Sequence, residues 1–372
     1  MSRRVLVVTV VHHPQDARIR HRQIPALLAA GWEVTYAAPW SGYGIPQPHG
    51  IPGLTTVDVA RAVGRRRWRA QVSARRLLRR LGPQHDLVLV HDPELVPTSL
   101  GLRLPPVVWD VHEDTAAAVE VRSWLPGALR RPVSAVVRLG ERWAEGHRHL
   151  ILADREYAAR FRGEHAVIPN TTTVVPEPLP AGTPDGRGRH RVVYLGSLTP
   201  ERGARELVEV GRRLREETDG QVVLEVLGPA HGTAKELLRT ADRAGHVEWA
   251  GFVPNAEALQ RVDGALAGLS LLHDAANFRP SMPTKVVEYL AHGVPVITTP
   301  LPLAADLVTR SGGGVVVPFG DTDQTVAQVL AWHASPAEAA QAGRRGHRLV
   351  AAEHDWGTGA VDFVSALEAL LP

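Results

Sequence analysis

Apolar residues in this chain of 372 fall in short continuous runs separated by stretches of helical spacing. Residues 5–11 form one such run, uninterrupted and β-branched, as in a parallel strand covered on both faces. The loop HHPQDARIRHR follows, then a helix pattern to about residue 30 that Gly31 stops, and a second strand at 32–38. Further strands are predicted at 86–90, 106–111, 150–153 and 166–168. Residues 176–190, PEPLPAGTPDGRGRH, are rich in Pro and Gly without an apolar period, and read as an interdomain linker. A second series begins at Arg191 with VVYLGSL and continues at 221–227, 247–250, 267–272, 294–298 and 314–317. Helices fill the intervals, among them 202–217 and 256–262, and the last helix, 359–371, is expected to pack back on the first domain. Strands alternating with helices predict two doubly wound α/β domains, with no internal repeat.

Ligands of such sheets sit beyond the carboxyl ends of the strands. That places His12, His13, Asp16 and Arg18 after the first strand, His91 to Glu94 after the third, and His112, Glu113 and Asp114 after the fourth, all at the productive edge. Adjacent histidines on a turn, without a third ligand at a known spacing, do not make a metal site.

The stretch 277–299, NFRPSMPTKVVEYLAHGVPVITT, joins an irregular loop to a short helix and a strand. Thr284 and Lys285 fall in the first helical turn, where backbone N–H groups and the macrodipole favour an anion. Lys285 adds a full charge, which suits a diphosphate. Glu288, one turn on, would repel phosphate but accept hydrogen bonds from the hydroxyls of a ribose. Together they suggest a nucleotide-sugar pocket. The alternative is a pair of solvated residues on an amphipathic helix. The segment YLGSLTPERG is a second phosphate feature. Gly196 permits close backbone approach, Ser197 and Thr199 offer hydroxyls, and Arg202 is expected at the start of the next helix. It is neither the dinucleotide fingerprint nor a Walker loop.

Composition sharpens this in three ways. Only Lys235 and Lys285 among 42 basic residues are lysines, so a compact ammonium at 285 is an exception in an arginine-preferring chain. The absence of cysteine excludes disulfides, thiolate nucleophiles and cysteine zinc sites. The formal charge of +3 is unevenly placed: residues 61–80 hold nine arginines and no acid, leaving 33 basic against 39 acidic groups elsewhere. That segment reads either as a basic amphipathic helix on a membrane surface or as a helix packed on the sheet with solvated arginines. Nucleic acid ranks last, because no aromatic interleaving beyond Trp68 and no binding motif accompany the arginines. Without a secretory signal or a membrane-length apolar run, a cytoplasmic location is expected, with peripheral membrane association through 61–80 as the variant of it.

The pieces HHPQDARIRHRQ, HDPELVP, VVWDVHED, VIPNT, YLGSLTPERG, VEWAGFVP, PTKVVEYLAHGVPVI and GGGVVVPFGD stand in an order that resembles retaining glycosyltransferases of family 4. The resemblance implies the GT-B fold, two facing Rossmann-like domains with a cleft between them. Residues 1–185 would be the acceptor-binding domain, with 355–372 packing back on it, and 190–354 the nucleotide-sugar domain. It implies a hexosyltransferase-class enzyme moving a sugar from a UDP- or GDP-sugar to a hydroxyl acceptor; the arginine- and alanine-rich composition fits a GC-rich bacterial genome, where a surface glycan, glycolipid or secondary metabolite is the expected acceptor. No metal or other cofactor would be required, and Asp321-Thr322-Asp323 is read as a turn. In this analogy Arg202 and Lys285 hold the diphosphate and Glu288 the ribose. Gly196, Ser197, Ser281, Met282, Pro283 and Thr284 complete the donor site, and the backbone at Phe252, Val253 and Pro254 meets the base. His112 faces the transferred sugar, with His13, Asp16, Arg18, Glu113 and Asp114 on the acceptor side. Two positions depart from the family. Pro280 occupies the place of its first glutamate, so that contact must come from backbone amides around 278–282 or be missing. Ser197 replaces a common basic residue. A nucleotide-sugar epimerase of the same architecture and a non-catalytic relative are the competing readings.

Overall fold

The computed structural model describes residues 2–112 and 127–371. The chain divides into two compact units, residues 1–170 with 357–372, and residues 171–356.

The first unit is built on seven strands: β1 (Arg4–Val8), β2 (Glu33–Ala38), β3 (Leu54–Asp58), β4 (Leu87–Val90), β5 (Val107–Val111), β6 (His149–Leu152) and β7 (Ala166–Val167). They lie in the order β3-β2-β1-β4-β5-β6-β7, with every pairing parallel. β1 is central, Val5 pairing with Val34 on one side and Leu87 on the other, which is why its run is wholly apolar. β3 escapes the periodicity because it is an edge strand: LTTVD is half exposed and needs only a partial apolar face.

The expected first helix is split. Residues Ile19–Gln23 form a wider π-helical turn that passes into α1 (Ile24–Ala29). The turn buries Arg22 and Gln23, and Arg18 just before it is buried too. π turns of this kind recur at functional sites, where they re-aim polar side chains. α2 (Arg67–Leu81) follows β3, and α3 (Gly127–Glu145) leads to β6.

The second unit has β8 (His190–Leu195), β9 (Val222–Leu227), β10 (Glu248–Gly251), β11 (Ala267–Ser270), β12 (Val296–Thr298) and β13 (Gly314–Val316), ordered β10-β9-β8-β11-β12-β13 and all parallel. Its helices are α4 (Ala204–Glu217), α5 (Thr233–Arg243), α6 (Asn255–Val262), α7 (Thr284–Ala291), α8 (Pro302–Ser311), α9 (Thr322–Ala334) and α10 (Pro336–Glu353). The Pro/Gly-rich stretch 176–190 is not a free linker between units, since the second unit begins at Thr171. Ala181 is buried, the Gly182 N–H donates to Gly264 O, and His347 Nε2 bonds Val175 O. Proline and glycine there shape an irregular segment that packs on its own domain. The last helix, α11 (Trp356–Glu368), belongs from Gly357 onward to the first unit, where Glu368 pairs with Arg3 and Phe363 and Leu367 are buried.

Candidate functional sites

Each sheet reverses its winding direction beside its first strand, at β1/β4 and at β8/β11. A crevice outside the carboxyl ends opens at such a switch point. A polar cluster occupies that position in each unit.

In the second unit, β8 ends at Leu195, and Gly196 follows with φ +108°. Its N–H donates to Leu227 O at 2.8 Å. A Cβ on Gly196 would lie 3.9 Å from both Lys285 Cε and Nζ, so the ammonium stands directly over bare backbone. Lys285 is the second residue of α7 and is only 6% exposed. Its Nζ sits 3.5 Å from the centroid of the Tyr194 ring and has no hydrogen-bond partner among the described residues. Burial pulls its pKa well below the ordinary lysine value, the nearby Arg202 charge pulls it further, and Glu288 opposes both. The solvated-helix alternative therefore fails: Lys285 and Glu288 are both buried.

Arg202 belongs to the same place by a different route than the sequence pattern suggests. It does not open a helix. It ends a short 3₁₀ turn, Pro200–Arg202, and α4 begins two residues later. The break is Gly203 at φ +84°, where a Cβ would fall 2.3 Å from Leu271 O, so no side chain fits. Arg202 Nη1 donates to Ser197 O at 3.3 Å, and its Cζ lies 5.8 Å from the Phe278 ring centroid. Tyr194 Oη donates to Ser197 O at 3.0 Å, which fixes the ring that carries Lys285.

The turn before α7 is partly satisfied internally. The N–H groups of Phe278 and Arg279 donate to Ala275 O, and that of Ser281 to Phe278 O. Three of the amides expected to replace the missing glutamate are thus engaged, and the Met282 N–H has no partner among the described residues. Pro283 is the N-cap of α7 and supplies no side-chain cap, so the Thr284 end of the helix keeps open N–H groups. Phe252 is 54% exposed in the turn between β10 and α6, Val253 packs on the core, and Pro254 caps α6. No hydrogen bond among the described residues joins these three to Lys285. Asp321 caps α9 through Gln324 N–H, and Asp323 pairs with Arg213.

In the first unit, Asp110 is fully buried inside β5. Arg18 grips it with two hydrogen bonds of 2.7 and 2.8 Å, and Gln23 adds a third at 2.7 Å. The remaining Arg18 nitrogen donates to Ile168 O and Asn170 Oδ1, both at 3.0 Å. Arg18 therefore points inward, because a carboxylate within a strand needs a counter-charge. Burial would raise the Asp110 pKa, but Arg18 and His91 outweigh it and hold the carboxyl well below its usual range.

Three imidazoles gather around this pair. His91 Nδ1 is 3.3 Å from Asp110 Oδ2, and His112 Nε2 is 3.0 Å from His12 Nε2. His112 Nδ1 meets Asp110 O at 3.1 Å. A carbonyl only accepts, so that nitrogen carries the proton and Nε2 offers its lone pair to His12. Burial, then the His12 charge, lower the His112 pKa to about 3, so His112 is neutral at physiological pH. His12 Nε2 lies 3.3 Å from Asp92 Oδ1, and Asp92 accepts from Val10 N–H at 2.5 Å and Thr9 Oγ1 at 3.1 Å.

Asp16 accepts the N–H groups of Arg18 and Ile19 and so caps the π turn. His13 stands apart, edge-on to Tyr43, with Nδ1 accepting from Gln15 N–H. Glu113 and Asp114 lie outside the described residues. Donor atoms of His91, Asp110 and His112 lie within 4.8 Å of one another. They do not suit a cation, because both oxygens of Asp110 already receive the Arg18 guanidinium and a metal there would face its charge.

The sequence reading missed Asp110, Gln23, Tyr194 and the joint role of His12 and His91. The available signal was polarity in the wrong place: an aspartate inside VVWDV and a tyrosine inside RVVYL both interrupt runs buried on two faces.

Residues 189–335 match the family model described as Glycosyl transferases group 1. No curated protein matches the chain in sequence. Among solved structures, sucrose-phosphate synthase from Thermosynechococcus elongatus aligns with a TM-score of 0.76 at 17% identity, over 100% of this chain and 99% of that one. WaaG, a glycosyltransferase involved in lipopolysaccharide biosynthesis, gives 0.70 at 11% identity over 98% and 99%. Anabaena HepE, solved with UDP and glucose, gives 0.67 at 13% identity over 99% and 100%. Identities this low establish the fold, which is GT-B.

Proposed function

We propose that the chain is a retaining glycosyltransferase of family 4, moving a sugar from a nucleoside-diphosphate sugar to a hydroxyl acceptor without a metal. The observation that carries the reading is the Lys285 ammonium: buried, without a hydrogen-bond partner among the described residues, and poised over the Gly196 backbone beside Arg202. An isolated cation is costly to bury unless something anionic completes it. The open end of α7 adds N–H donors to the same place. The match of residues 189–335 to group 1 glycosyl transferases, and the UDP in HepE, make a nucleoside diphosphate the fitting anion.

In this reading the donor's diphosphate lies on Gly196, Arg202 and Lys285, and Glu288 accepts from the ribose. As the sugar–phosphate bond breaks, the bonding pair leaves with the diphosphate oxygen, and both cations stabilise the charge that develops there. That oxygen then accepts the acceptor's proton on the face where the new bond forms, which retains configuration. Neutral His112, whose one lone pair is taken by His12, accepts a sugar hydroxyl in the first unit only by giving up that bond. Residues 1–170 with 357–372 are the acceptor-binding part and 171–356 the donor-binding part.

The test is thermal stabilisation by UDP and GDP, followed by donor consumption with candidate hydroxyl acceptors in the presence of EDTA. The anomeric configuration of the product is then read by NMR. Release of UDP or GDP with an α-linked product from an α-linked donor is expected. Sugar interconversion without an acceptor would identify an epimerase. Pro280 favours a second reading, a non-catalytic nucleotide binder, and binding without consumption of any donor would establish it.

A further inference from the structure

One side of the first unit is covered by two helices whose outward residues are unusual together. α2 and α3 pack on the same sheet face, for Ala70, Ala74, Leu77 and Leu78 share a core cluster with Ala144. Outward, α2 shows Arg69, Arg76 and Arg80 along a groove of about 500 Å³ against β3, and Trp68 and Val72 line the same groove. Trp68 is 62% exposed. α3 exposes Val136, Leu139 and Trp143 at spacings of three and four, with exposed Arg138 and Arg142 among them. Among the described residues, Glu94 pairs with Arg67 and the buried Glu141 with Arg160, while Asp58, which lines the groove, accepts from Ser41 and stands as a single acid among three arginines.

We infer that this face docks on an anionic lipid bilayer. The pairing of chemistries selects that occupant. Guanidiniums alone would suit any polyanion, but solvent-facing tryptophans and aliphatics between them match the boundary of headgroups and acyl chains. None of the described helices is long and apolar enough to cross a membrane, so the contact is in the interfacial plane. Arginines bind lipid phosphates while Trp68, Leu139 and Trp143 enter the boundary. The inference does not depend on the proposed transfer reaction, and its test needs no turnover.

The full chain is sedimented with phosphatidylcholine vesicles with and without phosphatidylglycerol, over a salt series. Binding only to the anionic vesicles, weakening with salt, is expected. The triple variant Arg69→Gln/Arg76→Gln/Arg80→Gln should bind about a hundredfold more weakly, at about fivefold per arginine. Leu139→Ser should weaken binding while leaving the melting temperature and UDP stabilisation unchanged. Equal binding to neutral vesicles, or undiminished binding by the triple variant, overturns the inference. So does displacement by RNA with no effect of Leu139→Ser, which would mark a nucleic-acid surface instead.

Discussion

Replacing Lys285 with methionine separates a ligand-binding cation from a structural one. In the free protein the ammonium is desolvated, has no hydrogen-bond partner among the described residues and is opposed by Arg202. Leaving a polar group so placed costs about 1–3 kcal/mol, and a charged one more. Its cation–π contact with Tyr194 returns about 1–2 kcal/mol. Methionine keeps the stem's packing and removes both terms, so Lys285→Met should melt unchanged to slightly higher, with a rise of ~2–4 °C per kcal/mol gained. UDP binding should move the other way. Losing a charge-assisted hydrogen bond of about 1.5–3 kcal/mol weakens the affinity ~10- to 150-fold. Calorimetric titration with UDP and a thermal melt supply both numbers. The same titration in buffers of different ionisation enthalpy tests the linkage. Because the free lysine is held well below its ordinary value of 10.5, a diphosphate that restores its partner should raise its pKa and draw in a proton. The free protein should also gain stability as pH rises from that lowered pKa toward 10.5, and the variant should not. A variant that melts several degrees lower yet binds UDP at wild-type affinity would refute the reasoning.

Other expectations follow from the first unit and the glycine break. Arg18→Met leaves Asp110 buried without its counter-charge and should destabilise by about 3–5 kcal/mol in denaturant titration, with Arg18→Met/Asp110→Leu recovering part of the loss. His112, lowered to about 3 in the fold, contributes a pH-dependent term that is favourable above the unfolded value near 6.5 and is lost as pH falls from there toward 3. Melts over that window should show a shallower slope for His112→Phe. No inflection in transfer rate between pH 6 and 7, read from a pH–rate profile, should be traceable to His112. Gly203→Ala forces a Cβ onto Leu271 O and should lower both stability and UDP affinity, detectable as a parallel loss in melts and calorimetry.

The contrast between α7 and the Arg202 turn shows what the chain reveals before it folds. Strand runs, the helix after Pro283 and the lone lysine at its start are local facts, written in apolar period and residue type. Most of the architecture follows from them, because parallel strands covered on both faces must be uniformly apolar. β3 lacked that signature, since an edge strand is not so constrained. The stretch 176–190 misled because proline and glycine mark irregular backbone but do not say whether a core covers it. The order strand, glycine turn, helix predicts Arg202 at a helix start, while the absence of room beside Leu271 O ends the turn at Gly203. Asp110 lay hidden in an apolar word, and its partner Arg18 is far away in sequence. Whether a charge is solvated or sealed against a distant residue depends on contacts between segments. The sequence by itself therefore determined the elements and the candidate ions. Packing between distant segments seals Lys285 in with no hydrogen-bond partner among the described residues and Arg18 in with Asp110, because desolvation is a property of the packed neighbourhood and not of the residue.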